Sequence, residues 1–78
     1  MSVPPESIQV GQCYLSVTGQ VRRVMRVLPD GRVQYEARGG AVARAFNWRT
    51  DILDLRSFAF SVERPVPCDW TPEPKGRD

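Results

Sequence analysis

The 78-residue sequence contains no histidine, and that absence excludes more chemistry than any motif adds. Without imidazole the chain cannot build a histidine metal site, a Ser/His or Cys/His nucleophile pair, or a charge switch near neutral pH. Cysteine is scarce, with only Cys13 and Cys68, far apart and without C-x-x-C spacing. Two such thiols, in a chain that opens MSVPPESIQV with neither a basic nor an apolar leader stretch, read as reduced and cytoplasmic. The alternative, a Cys13–Cys68 disulfide, would tie the two ends of the domain together. No apolar run approaches the roughly 18 residues a membrane helix needs, so no membrane span is expected. Lysine is nearly missing too: Lys75 stands alone against ten arginines. Coding bias toward GC-rich codons explains that usage as readily as a need for guanidinium chemistry does.

What is present, 41% hydrophobic and 26% charged residues with a net charge of +2, suits one small soluble domain. A chain of this size buries only about 60% of its unfolded surface, which leaves little room for a deep cavity. The positive excess lies entirely in the first half. Residues 1–40 carry five arginines against three acids, whereas residues 41–78 carry six bases against six acids.

Periodicity divides the chain into short strands. Cys13, Leu15 and Val17 alternate with polar neighbours over residues 13–17, and Thr18-Gly19 supplies a turn. Residues 20–28 place Val21, Val24, Met25 and Leu28 at helical spacing. Yet the run is short, Val-rich and uncapped, and it stops on Pro29-Asp30-Gly31, so a strand is expected, kinked by a bulge near Arg23-Val24. Residues 32–38 form the clearest strand, with Val33, Tyr35 and Ala37 on one face, and complete a central hairpin. After Gly39-Gly40, residues 41–48 fit a strand or a short helix, with a strand favoured as the next partner; Arg49-Thr50-Asp51 is expected as a turn, and Ile52–Leu55 as a short apolar piece. Over residues 57–63 a strand and a helical turn capped by Ser57 fit equally.

The expected organisation is therefore a flexible lead over residues 1–7, a single domain over 8–64, and a proline-rich, largely disordered tail over 65–78. Within that tail, Trp70 either folds back with Val66 and Cys68, the favoured reading, or is displayed to a partner.

Four or five short strands with glycine turns predict an all-β fold: a small, strongly bent antiparallel barrel with room for one short helical turn near 56–63. The order Gly11-x-x-Tyr14, Gly19-x-Val21-x-x-Val24, Asp30-Gly31-x-Val33-x-Tyr35, Trp48 and Phe58 resembles the SH3-like barrels found in many uncharacterised bacterial proteins, and more distantly KOW and Tudor-type barrels. The resemblance covers about residues 8 to 64 and implies a binding module without naming its ligand.

The residues offer no catalytic constellation. Asp51 and Asp54, three apart, read as a turn residue and a solvated charge, Cys13 as a buried structural thiol, and no phosphate loop or metal-ligand spacing occurs. The expectation is a protein that is not an enzyme and uses neither cofactor nor metal. Two binding readings remain. In the first, an aromatic groove beside Tyr14, Tyr35 and Trp48 takes a protein or peptide partner. In the second, Arg22, Arg23, Arg26, Arg32 and Arg38 share the outer face of the central hairpin and grip RNA or DNA phosphates. A monomer, or weak self-association through an edge strand, accompanies either.

Overall fold

A computed structural model describes residues 3–39 and 48–72. Five antiparallel strands form one sheet in the order β4-β3-β2-β1-β5, comprising β1 Cys13–Ser16, β2 Gln20–Val27, β3 Arg32–Gly39, β4 Arg49–Asp54 and β5 Val62–Val66. One helix, α1 (Leu55–Ser61), links β4 to β5, and a 3-10 turn covers Pro5–Ser7. The expected all-β class with a short helical turn is what forms. No helix among the described residues is long and apolar enough to cross a membrane.

The turns follow their residues. Gly31 (φ 89°) closes the β2–β3 hairpin, its N–H donating to Leu28 O while Leu28 N–H donates to Arg32 O. That is a tight turn followed by a left-handed residue, a conformation glycine adopts without steric penalty. Asp30 reinforces it by accepting from the Arg32 backbone N–H at 3.2 Å. The bulge expected in β2 lies slightly further on, where the pairing slips between Val24 and Arg26. A second slip, between Leu15 and Ser16 opposite β5, places Val62 and Val66 in different cores.

Each face of the sheet carries its own core. On the first face Tyr14, Val24, Val33 and Tyr35 pack beneath Phe58 of α1 and Val62. Phe58 is fully buried, edge-on to Tyr14 at 6.0 Å and tilted against Tyr35 at 5.0 Å, contacts worth about 0.5–1.5 kcal/mol each beyond burial. On the second face Cys13, Leu15, Val21 and Val66 are covered by Trp48, Cys68 and Trp70. Alternation explains the division in β1 and β2, since Cys13 and Leu15 point opposite to Tyr14, and Val21 opposite to Val24; in β5 the register slip separates Val62 from Val66.

Several expectations need correction. Cys13 and Cys68 are not separate thiols but a disulfide. The ordered unit does not end at residue 64, because β5 runs through Pro65 to Val66, and Trp70 folds back half-buried. Pro65 is tolerated because β5 is an edge strand, where a missing N–H can face outward. Nor are residues 3–7 a loose lead: Val3 packs on the first core, and the Tyr14 hydroxyl donates to Ser7 O while accepting from Gln9 N–H. The Arg49-Thr50-Asp51 turn is instead the start of β4, whose pairing with β3 from Ala37↔Arg49 to Arg32↔Asp54 outweighs the local polar composition. The strand expected over residues 41–48 lies outside the described residues except for Trp48. The helix cap is Asp54 rather than Ser57, with the Asp54 carboxylate accepting from Ser57 N–H.

The disulfide closes a loop of 55 residues, which in the chain-entropy description stabilises the fold by about 4 kcal/mol. The Cys13→Ala/Cys68→Ala variant should therefore lose about that much stability in urea unfolding. An unchanged midpoint would contradict a structural role for the bond.

Candidate functional site

The structure separates the residues expected to form an aromatic groove. Tyr14 and Tyr35 are 2% and 3% exposed in the first core, whereas Trp48 is half-buried on the opposite face. No shared groove joins them. Tyr14 spends its hydroxyl on the N-terminal segment.

The arginines do not form one patch either. Arg22 pairs across from Tyr14 on the first face, and the other four alternate onto the second. There Arg23 pairs with Glu36 at 2.6 Å and lies 4.4 Å from the centre of the Trp48 ring. Arg26 donates to Gln34 at 3.0 Å, and Arg32 is held by Asp30 at 2.8 Å in the exposed turn. Arg38 is 2% exposed, lies 5.3 Å from the Trp48 ring, and donates to the carbonyls of Gly39, Cys68 and Trp70. Burial pushes its pKa down, opposed by the nearby Asp69 carboxylate. Arg38 thus clasps the segment after β5. Arg64, at 5.9 Å from the Trp70 ring, adds a cation–π contact to the same segment.

Among the described residues two concave surfaces stand out, one against α1 and one linked to its end through the Arg22–Ser61 hydrogen bond. The first is an apolar groove of about 420 Å³ between the N-terminal segment and the helix, lined by Val3, Pro5, Arg56, Ala59 and Phe60. Phe60 is 78% exposed. The sequence signal for it was available: Phe58 and Phe60, two apart, cannot both face inward from a helix. Only the strand reading of residues 57–63 would have hidden both.

The second is a polar cleft of about 460 Å³ at the other end of α1, where β2, β3 and β4 run side by side. Arg22, Tyr35, Arg49 and Asp51 line it, with Ala37 also in the wall. Arg22 sits 5.2 Å from the centre of the Tyr35 ring, its Nη1 donating to Ser61 Oγ at 2.6 Å and its Nε and Nη2 to Gln20 Oε1. Ser61 in turn donates to Phe58 O, fixing the hydroxyl as an acceptor toward Arg22. Burial raises the Tyr35 pKa; Arg22 opposes the shift and Asp51, its cross-strand neighbour, adds to it. Sequence reading placed Arg22 and Tyr35 in different hypotheses and did not single out Arg49. The β2–β3 and β3–β4 registers, which set Arg22 and Arg49 on either side of Ala37, bring them together.

No family model, curated protein or solved structure matches the chain.

The raised Tyr35 pKa fixes a sign for alkaline stability. The folded state holds the phenol neutral beyond the pH at which the unfolded chain ionises it. Its contribution is therefore complete below about pH 10 and is lost as pH rises past that unfolded value toward the higher folded one. Urea midpoints measured from pH 8 to 11 should fall at the alkaline end, and Tyr35→Phe should flatten the fall. Parallel curves for the two proteins would count against this account.

Proposed function

We propose that the chain is a non-enzymatic binding module that docks a protein or peptide partner on the outer side of α1. The observation that carries this reading is Phe60, held in water on a helix whose Phe58 and Ala59 are buried. A single exposed apolar residue is ordinary. Phe60, however, borders a ready groove with Val3, Pro5 and Ala59, and Arg56 stands at its rim. Burying a phenyl ring contributes about 1.5–3 kcal/mol, enough to make it an interface anchor. The occupant that fits is a partner segment offering an apolar side chain to Phe60 and an acid to Arg56.

Other features support the remaining parts of the reading. Asp30 holds its turn, Glu36 pairs with Arg23, and Asp54 caps α1, so these carboxylates have structural employment rather than a converging catalytic arrangement. The hydrogen bonds from Ser57 hold the Asp54 pKa below the ordinary aspartate range, keeping it an acceptor at neutral pH. Five short antiparallel strands with glycine turns support the likeness to SH3-like barrels. Charge on both edge strands, Arg49 and Asp51 on β4 and Glu63 and Arg64 with Pro65 on β5, favours a monomer over edge pairing. The cytoplasmic expectation leaned on reduced thiols. The Cys13–Cys68 bond fits better with a compartment where disulfides persist. RNA or DNA binding through the hairpin arginines is the competing reading, and the engagement of Arg23, Arg32 and Arg38 within the fold weighs against it.

Phe60→Ala should leave stability within about 0.5 kcal/mol of the parent, as expected of an exposed site. In pull-downs it should abolish retention of a defined protein that the parent holds at both low and moderate salt. Equal retention by both proteins would overturn the reading. So would oligonucleotide binding that falls steeply with salt and weakens in Arg23→Ala/Arg26→Ala.

A further inference from the structure

The polar cleft beside α1 is a second feature that the packing of the fold does not require. Tyr35 is 97% buried by its 3% exposure, and its ring is fully used in the first core. Its hydroxyl nonetheless has no hydrogen-bond partner among the described residues, although the side chain forms part of the cleft wall. Phenylalanine would pack the same core without carrying a polar atom to that wall. Around it stand Arg22, held in place by Gln20 and Ser61, and Arg49, which is exposed and makes no ion pair among the described residues. Asp51 is the single acid in the lining.

We propose that Arg22, Arg49 and the Tyr35 hydroxyl form a binding site for a carboxylate carried by a peptide, a site distinct from the Phe60 groove. The charge count selects the ligand class. Two guanidiniums and one carboxylate leave the cleft one positive charge, which a single carboxylate neutralises. A phosphate, with about −1.5 to −2 at pH 7, would overshoot and meet Asp51. Geometry agrees with that choice. Planar guanidiniums offer paired N–H donors suited to a carboxylate's two oxygens, and a phenol supplies a third, shorter donor. Arg22 uses Nε, one Nη1 position and one Nη2 position internally, so each of its terminal nitrogens retains a second N–H. The contacts to Gln20 and Ser61 hold the guanidinium in one orientation, which lowers the entropy lost when a ligand binds. Asp51 does more than reject higher charge: its backbone-bound carboxylate, accepting from Ile52 N–H at 2.8 Å, is fixed opposite Tyr35 in the sheet register. The site is thereby biased toward one charge rather than toward anions in general.

The test is a nitrogen–proton correlation titration of the full chain with a short peptide, capped at both ends, whose single charged residue is a glutamate. Its glutamine and phosphoserine counterparts, and a single-stranded oligonucleotide, are titrated in parallel. The glutamate peptide should shift the Arg22 Nε–H and the Thr50 and Asp51 amides, the glutamine peptide should not, and the phosphoserine peptide should bind more weakly than the glutamate one. Loss of one hydrogen bond to a charged group costs roughly tenfold or more. Tyr35→Phe and Arg49→Gln should therefore each weaken glutamate binding by about that factor, with melting temperatures unchanged. Should Tyr35→Phe perturb the core, Arg49→Gln at its exposed position decides alone. Phe60→Ala should bind the glutamate peptide as the parent does, which keeps failure here distinct from failure of the α1 docking reading. Equal shifts from glutamate and glutamine peptides, parent-like affinity in both cleft variants, or tighter binding of the phosphoserine peptide or the oligonucleotide would overturn the proposal.

Discussion

A guanidinium almost removed from water has to find its hydrogen bonds inside the protein, and much of this structure is arranged around that requirement at Arg38. Left unpaired, a buried charge costs several kcal/mol. Among the described residues no carboxylate bonds to it. Three backbone carbonyls do instead, two of them, Cys68 and Trp70, belonging to the segment after β5. The two bonds from its Nη2 form only when that segment lies across the sheet, and the segment is held there by the cation, by the Cys13–Cys68 bond and by the Trp70 ring. Trp48 completes the arrangement, with Arg23 and Arg38 both over its ring.

This arrangement has a consequence for function. A sheet of five short strands ordinarily buries one face and leaves the other to solvent. In this chain the helix covers one face and the C-terminal segment covers part of the other, and Arg23, Arg32 and Arg38 of the hairpin are engaged by partners within the fold. Among the described residues the two concave surfaces are an apolar groove at Phe60 and a polar cleft at Arg22, Tyr35 and Arg49. Ser61, the last residue of α1, connects helix and cleft through Arg22. The same short helix thus seals the first core through Phe58 and frames both candidate surfaces.

Local pattern revealed the strands whose alternation is clean. β1, β2 and β3, their glycine turns and the bulge in β2 follow from Val and Tyr spacing and from Pro29-Asp30-Gly31. What local pattern could not reveal was decided by pairing at long range. Arg49-Thr50-Asp51 has turn composition, yet it extends because β3 supplies a full row of partners. Pro65 looks like the start of a tail, yet β5 continues through it on an edge where proline is tolerated. The disulfide was legible as a possibility that compartment reasoning set aside, and the partners of Arg38 were not legible at all, because backbone carbonyls leave no trace in residue types. The site suffered similarly. Tyr14, Tyr35 and Trp48 were visible as aromatics, but only the parity of strand positions, compounded by two bulges, determines which face each meets.

The central claim is that the C-terminal segment is part of the folded unit rather than an appendage. Native-state hydrogen exchange on the full chain and on a chain ending at Val66 tests it most directly. The shortened chain should lose at least the roughly 4 kcal/mol attributed to the cross-link, a large share of the 5–15 kcal/mol typical of a domain. Protection should be lost at the β1 and β2 amides around Cys13, Leu15 and Val21. Equal protection at those amides in both chains would contradict it.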